Sequence, residues 1–349
     1  MLHAGIGPTH VNELLSSINI PSLGESTLKA REREVGLQVE KLAKESCLKS
    51  LESERNMWKD DSEKENVEIG ASYDMGWQKR GKAHNSLRGV GSMVGLKTGK
   101  VICYGSSCGE KNAVVSVLVG DDDSSTISKV RKNFEQEVEK WSDVVHAKRS
   151  LGSSLYSIKT QYKSLTDMVI QYFQRCFGYA LKQNKDNEEG VRNGLKSIVP
   201  HAYGDHSSCG DWCGYLKNPE SYKHRGLPHG KDLTDKSLRQ SLEKIIAVYA
   251  SNAKKLAPLG SSQANEALNT IGSKAPKIRH YGSSESNDFR VACAVGQKNL
   301  GHSYVSQSIL HCTVYITPVR VMGEEFTFCC VWKPNKTTYK EYKEFGLSV

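Results

Sequence analysis

Between residues 23 and 58 the apolar positions Leu28, Val35, Val39, Leu42 and Ala43 recur at steps of seven, four, three and one. That spacing marks one face of an α-helix. Leu37 lies off the stripe, and Glu, Lys and Arg fill the other face. The pattern predicts one or two amphipathic helices, packed on a neighbouring domain or contacting a partner or DNA. Near residue 66 the period shortens. NVEIGASYDMGW, GVGSMVGL and KVICYG are β-rich runs, and LKTGK between the second and third is a Gly-containing hairpin turn. Three antiparallel strands are expected here. AVVSVLVG (113–120) predicts a fourth, a near-continuous apolar run and so buried on both faces. Its GDDDSST end supplies caps for a helix in SSTISKVRKNFEQEVEKW, and SDVVHAKR (142–149) reads as a short fifth strand.

From about 150 to 260 the period is helical. Leu155, Ile158, Tyr162, Leu165, Met168, Val169, Tyr172 and Phe173 share one side of the first stretch. DLTDKSLRQSLEKIIAVYASNAKKL gives a second helical stretch and SSQANEALNTIGSK (261–274) a short third. The chain beyond about 304 is β-prone and then polar. The organisation read from these shifts is an N-terminal helical segment (1–65), a first part of an α/β core (66–149) and a helical insertion (150–260). A returning core helix (261–304) and a divergent tail (305–349) follow.

Composition narrows the function classes. Lys and Arg total 48 against 39 Asp and Glu, a formal charge of +9, which fits a nucleic-acid binder and many other soluble proteins. No run approaches the ~20 apolar residues of a membrane span, so no membrane partner is expected. The first residues lack a basic stretch followed by an apolar one, the mark of a secretory signal. Most of the 10 cysteines are therefore read as reduced thiols.

Three strands, a helix, a fourth strand, a second helix and a fifth strand describe an RNase H-like mixed sheet. In that order acidic residues belong on the first strand, after the fourth and on a late helix. There they hold two divalent ions ~4 Å apart that act on a phosphodiester. Mg²⁺ takes hard oxygen ligands, hence carboxylates. The chain offers Asp74 in the first strand, Asp121 and Asp123 just past the fourth, and Glu266 in SSQANEALN. An Asp before a helix caps it more often than it binds metal, but Asp74 sits mid-strand, where Asp is disfavoured.

The runs IGASYDMGWQKRGKAHNSLRGVGSMVGLKTGKV, LVGDDDSSTISKVR, GDHSSCGDWCGYLKNP, YKHRGLPHGKDL and SSQANEALNTIGSKAPK, in this order, resemble the Mutator-like transposase domain of animal genomes over roughly residues 15–304. The resemblance implies a nuclear DNA transposase that acts on transposon terminal repeats and target DNA, as a homo-oligomer on that DNA. It implies an RNase H-like core of the Asp-Asp-Glu type with a large all-α insertion before the last catalytic helix. Asp74 matches the first acid and Glu266 the last, with Asn269 following it. Asp121 is the choice for the second, with Asp123 as runner-up, and the cofactor would be Mg²⁺ or Mn²⁺.

His201, His206, Cys209 and Cys213 fall within thirteen residues. Two imidazoles and two thiolates make a tetrahedral Zn²⁺ site, here a structural one that pins a loop poor in apolar residues. His224 and His229 are substitute ligands. Basic residues flank the acids: Lys79, Arg80, Lys82 and Arg88, then Lys148 and Arg149, then Lys274, Lys277 and Arg279, with Trp77 and Tyr281 able to stack on bases.

The chain departs from the family between its third and fourth strands, where only GSSCGEKNA lies and the crossover helix is missing. Nine residues reach at most ~30 Å, and a parallel crossover normally takes a dozen or more. One sheet face near these strands should lack its usual cover unless the N-terminal helices or a partner supply it. Two readings follow: a metal-dependent transposase, or a non-catalytic DNA- or protein-binding module derived from one.

Overall fold

The computed structural model describes residues 3, 6–59, 66–77, 89–105, 113–120, 138–273, 285–310, 313–316, 319–321, 324–326 and 330–333. After a short helix α1 (Pro8–Ser17), the predicted stripe forms one long helix, α2 (Glu25–Trp58). Leu28, Val39 and Ala43 are buried on it, Val35 and Leu42 are partly so, and Leu37 is 60% exposed. Strands β1 (Val67–Trp77), β2 (Gly89–Gly95), β3 (Val101–Tyr104), β4 (Ala113–Gly120) and β5 (Glu139–Ser142) follow. They make a five-stranded sheet in the order β3-β2-β1-β4-β5. β2 and β3 are antiparallel, pairing Ser92 with Tyr104 and Met93 with Cys103, with a bulge between Met93 and Val94. β4 and β5 are parallel, pairing Val117 with Glu139 and Gly120 with Ser142. The sheet is therefore mixed.

The fifth strand is displaced from its expected position. It ends at Ser142, and residues 144–158 form α3 (Val144–Ile158) instead. Asp143 makes the switch by accepting a hydrogen bond from His146 N as the N-cap of α3. Val144 and Val145 read locally as strand, but Ala147, Leu151 and Leu155 are all buried along one face of the helix. Residues 139–141, expected to end the preceding helix, lie in β5, and 121–137 lie outside the described residues.

The remaining helices are α4 (Asp167–Gln183), α5 (Glu188–Ala202), α6 (Gly214–Lys217), α7 (Lys236–Ser251), α8 (Ala253–Leu256), α9 (Gln263–Ser273), α10 (Glu285–Leu300) and α11 (Ser303–Leu310). Polar caps fix their starts: Thr166 before α4, Asn187 before α5 and Asp235 before α7. The β-prone tail forms two hairpin-like pairs, β6 (Thr313–Ile316) with β9 (Cys330–Lys333) and β7 (Val319–Val321) with β8 (Glu324–Phe326).

The chain divides into two compact units. One is Met1–Val67, Met75–Ala113 and Ala264–Val349; the other is Glu68–Asp74 and Val114–Gln263. In the first, α2 and α10 pack on each other and on β3, with Val39, Ala43, Cys47, Val94, Val101, Tyr104, Phe289, Ala292 and Val295 in a common core. Gly36 lies against the Phe289 ring where a Cβ would overlap it. β3 is the last strand of the sheet order, and a side chain completes its pairing. Val101 N donates to Asn299 Oδ1 (2.8 Å), and Asn299 Nδ2 donates to Val101 O (2.9 Å) and Ser46 Oγ (3.1 Å). All four residues of β3 are buried. The N-terminal helix α2 thus packs against β3.

The second unit has a helical core. Leu151, Leu155, Leu165, Val169, Phe173, Phe177, Leu181, Val191, Leu195, Leu238, Leu242 and Ile246 are buried together. The stripe expected over one helical stretch is split: Leu155 and Ile158 lie on α3, Tyr162 and Leu165 in the connection, and Val169, Tyr172 and Phe173 on α4. All are buried or half-buried except Met168, which is 53% exposed. β4 is half-buried over Ala113–Ser116 and buried over Val117–Val119. Cys47, Cys176, Cys209, Cys213 and Cys293 carry free thiols, whereas Cys103 is disulfide-bonded. Among the described residues no helix is long and apolar enough to cross a membrane.

Candidate metal centre

The loop 203–232 joins α5 to the segment before α7, and its buried residues are His206, Cys213, His224 and Leu227. One aliphatic side chain cannot hold such a loop, since small units with little apolar core need a covalent or metal cross-link. The backbone folds as successive tight turns: Asp205 N donates to Pro200 O, Cys209 N to His206 O and Cys213 N to Gly210 O. Asp205 Oδ1 accepts from Ser207 N (3.1 Å) and Ser207 Oγ (2.6 Å), which fixes the turn around His206. Leu233 N donates to Ala202 O (2.9 Å) and closes the loop at the end of α5. Gly204, at φ +80, takes the chain out of the helix.

These turns bring all four predicted ligands together. Nδ1 of His201 and His206 and Sγ of Cys209 and Cys213 lie within 4.8 Å of one another. The two Nδ1 atoms are 3.0 Å apart. Cys209 Sγ is 3.3 Å from His201 Nδ1 and 4.0 Å from His206 Nδ1. Cys213 Sγ is 3.7 Å and 3.5 Å from the same atoms. A tetrahedral zinc with Zn–S ~2.3 Å and Zn–N ~2.0–2.1 Å sets its ligand atoms about 3.3–3.8 Å apart, and the five separations bracket that range. His201, His206 and Cys213 are buried and Cys209 is half-buried. The centre is therefore closed by side chains on most sides, as structural sites are.

The electrostatics fit a cation. Burial, reinforced by the neighbouring His224 and His206, pushes His201 down to about 4, so its imidazole is neutral and offers a lone pair. Burial and the adjacent Cys213 push the Cys209 thiol up to about 12. Without a cation the thiol keeps its proton; a bound metal reverses that balance and releases it. The four residues can hold a metal such as zinc.

Around them lies a shell of rings that sequence spacing did not bring forward. Tyr215 stacks on His206 with centroids 4.0 Å apart, and the Trp212 ring meets His201 edgewise at 4.9 Å. Trp212 is 37% exposed, so it covers the centre from outside. Tyr222 Oη lies 3.0 Å from His201 Nε2 and 3.0 Å from His224 Nδ1, and His224 Nε2 lies 3.1 Å from Asp232 Oδ1. His224 stands outside the four residues whose ligand atoms converge. His229 is exposed at φ +56 and stands outside the four as well.

Asp74 and Glu266 belong to different elements. Asp74 is half-buried in β1, where its charge reinforces burial in raising the Tyr73 hydroxyl pKa. Glu266 is half-buried in the first turn of α9. Its neighbour Asn265 is fully buried and donates through Nδ2 to Ser92 O (2.8 Å) and Ser92 Oγ (3.2 Å), which ties the start of α9 to β2. Asp143 ties the residues before α9 to the end of β5: Ser262 N and Oγ donate to its Oδ2 at 2.5 and 2.8 Å. Burial opposes ionisation of Asp143, but the hydrogen bonds from Ser262 and His146 outweigh it and hold its pKa below the usual carboxylate range. Asp121 and Asp123 lie outside the described residues, as do Lys79, Arg80, Lys82, Arg88, Lys274, Lys277, Arg279 and Tyr281. Lys148 and Arg149 are on α3.

A mixed α/β chain with a closed two-histidine, two-cysteine centre between its helices is the class that fold and site define. A model of the Mutator-like transposase family matches residues 1–109 and 105–213. The chain belongs to that family. The two matched segments meet at 105–109, in the link between β3 and β4. No curated protein and no solved structure matches the chain.

Proposed function

We propose that this protein is a nuclear DNA transposase that cleaves transposon ends and joins them to target DNA. Membership of the Mutator-like transposase family carries the reading. The strand order β3-β2-β1-β4-β5 supports an RNase H-like core, with the helices from α3 to α8 as an all-α insertion ahead of the helix that bears Glu266. Asp74, Asp121 and Glu266 would hold Mg²⁺ or Mn²⁺, which supplies Lewis-acid stabilisation of the attacking and leaving oxygens. In strand transfer a 3′-hydroxyl of the transposon end bonds to a target phosphorus as the bond to the target's own 3′-oxygen breaks. That oxygen leaves as a hydroxyl, and no covalent enzyme intermediate forms. Terminal-repeat and target DNA are the partners, contacted as a homo-oligomer. The centre at His201, His206, Cys209 and Cys213 is a structural zinc site that fixes the insertion loop.

A second reading has its own observation. β3 and β4 are joined through residues 105–112, too few for a crossover helix, and the family match breaks there. That favours a non-catalytic DNA- or protein-binding derivative. Strand transfer from a pre-cut 3′-hydroxyl end with Mg²⁺ separates the two. The transposase reading expects joined product from the native chain and at least a 100-fold loss in Asp74→Asn and Glu266→Gln, a magnitude typical of lost transition-state charge stabilisation at about 3 kcal/mol. DNA binding with no Mg²⁺-dependent product from the native chain would leave the derivative reading standing.

A further inference from the structure

We propose that the outer faces of α3 and α4 form a docking surface for duplex DNA, which they grip along its phosphate backbone. The inference rests on the DNA-binding reading and adds the surface that holds the DNA. Charge segregation carries it. Residues 144–185 hold 7 of the chain's 48 Lys and Arg and 1 of its 39 Asp and Glu, so 42 residues carry +6 of the formal +9. The other 307 residues hold 41 basic and 38 acidic side chains and are close to balance. The single acid, Asp167, is already engaged: Lys159 Nζ donates to its Oδ1 at 2.7 Å. Arg149, Lys163, Arg175, Lys182 and Lys185 are all exposed, and none has a carboxylate partner among the described residues.

Helical geometry gathers these charges. Two contacts set α3 and α4 antiparallel, side by side. Gln174 Nε2 donates to Lys148 O (3.3 Å), and Lys159, just past α3, reaches Asp167 at the start of α4. Ala147, Leu151 and Leu155 of α3 and Val169, Phe173 and Phe177 of α4 enter one core, so the opposite faces of both helices look outward together. On α3 that face carries Val145, Arg149 and Tyr156, at steps of four and seven. On α4 it carries Met168, Arg175, Tyr179 and Lys182, at steps of seven, four and three. Tyr156 and Tyr179 are 48% and 61% exposed, and phenol hydroxyls bond phosphate oxygens as Arg and Lys do. The serines of α3 turn their hydroxyls back on the helix, Ser153 to Arg149 O and Ser154 to Ser150 O. The surface therefore offers charge rather than a pattern that reads bases. Neighbouring helices balance their charges instead: Arg192 of α5 pairs with Glu188 and Glu189, and Arg239 of α7 with Glu243. Two basic faces in fixed register suit a polymer with one negative charge per ~1.7 Å of its axis.

The test uses the full chain without Mg²⁺, so that binding is read apart from any strand chemistry. Affinity for random-sequence duplex DNA, and for single-stranded DNA of the same length, is measured across a salt series. Replacing Arg149, Arg175 and Lys182 together by Gln should make the slope of log affinity against log salt shallower by about 3, roughly one for each lost phosphate contact. Every duplex should weaken by the same factor, because phosphate contacts carry no sequence information. Arg149→Lys with Arg175→Lys keeps both charges and should keep the native slope. The control set, Lys196→Gln, Lys236→Gln and Lys244→Gln, removes three exposed charges from α5 and α7 and should change the slope by less than about 1. Both triple variants should melt with the native chain, because all six side chains are exposed. Equal slope changes in the two sets would show that net charge alone matters and overturn the surface. A native slope kept by the first set would overturn it too, with DNA binding left standing. Tighter binding of the single strand would overturn duplex DNA as the occupant. A native chain that binds no DNA at low salt would overturn the surface and the DNA-binding reading together.

Discussion

Two buried polar clusters in this protein are solved in opposite ways. In the first unit the fully buried Glu54 of α2 accepts hydrogen bonds from Trp58 Nε1 (2.7 Å), Lys97 N (2.9 Å) and Thr98 N (2.8 Å). Its carboxylate is complete within the protein and clamps the β2–β3 turn to the helix. Gly95 leaves room for it, since a Cβ there would overlap the carboxylate. In the second unit, His201, His206, Cys209 and Cys213 aim their ligand atoms at one another, all within 4.8 Å. A carboxylate ringed by N–H groups closes its own account, whereas four inward-facing lone-pair atoms call for a cation. The first cluster is a fixed joint, and the second is a joint that depends on what binds.

The largest expected effect follows from that difference. Where free zinc exceeds its dissociation constant a thousandfold, binding stabilises the folded state by about 4 kcal/mol, or roughly 8–16 °C in a unit of this size. A chelator should remove that stabilisation in thermal melts, and added Zn²⁺ should restore it. Limited proteolysis should then cut within 203–232 only in the chelated protein. Identical melts with and without chelator would break the comparison, leaving the His/Cys cluster as self-sufficient as Glu54.

Glu54→Ala comes next. It leaves the N–H groups of half-buried Trp58 and Thr98 and of exposed Lys97 without their acceptor. A buried group left unpaired costs about 1–3 kcal/mol, and water reaching these groups recovers part of this. A net loss of about 2–3 kcal/mol is expected, and it should be the same in zinc and in chelator, because nothing at this joint exchanges with solvent. Glu54→Gln keeps one acceptor oxygen but turns an N–H group toward the other donors, so it should fall between the two. A Glu54→Ala loss that changes with zinc would show that the joints are coupled.

How far each cluster could be read in advance also differs. The four ligands are close in sequence, so their chemistry was visible before their geometry, and the α2 stripe was legible because Leu28, Val39 and Ala43 are spaced for one helical face. The ring shell of Trp212, Tyr215 and Tyr222 around the histidines was not legible, because aromatic residues in a loop carry no periodicity and are placed by turns. Helix α10 went unread for another reason. Several of its buried positions, Ala292, Cys293 and Ala294, are small, and the residue that meets Gly36 on α2 is Phe289. Small residues make no tall apolar stripe. The fifth strand was misplaced because Val144 and Val145 carry a strand signal that a single capping residue, Asp143, overrides. Glu54 was invisible for a different cause: within a charged helix nothing in the sequence distinguishes the one carboxylate that a hairpin turn will cover.

The smallest expected effect tests whether the metal joint is local. Asn187 caps α5, its Oδ1 accepting from Gly190 N at 2.9 Å, and His201 sits near the opposite end of the same helix. Asn187→Ala removes the cap at a typical cost of about 1 kcal/mol, or roughly 2–4 °C in a unit of this size. Fraying is confined to the first turn, because Val191, Leu195, Ile198 and Val199 bury the body of the helix in the core. The position of His201 is set by those contacts and by the closure of Leu233 on Ala202, both downstream of the cap. The loss should therefore be equal with zinc and with chelator, and the zinc dissociation constant should match that of the native chain. A weaker zinc constant in Asn187→Ala would mean that ligand geometry depends on the whole of α5, so the boundary of the metal-dependent joint would have to be drawn at the start of the helix rather than at its last turn.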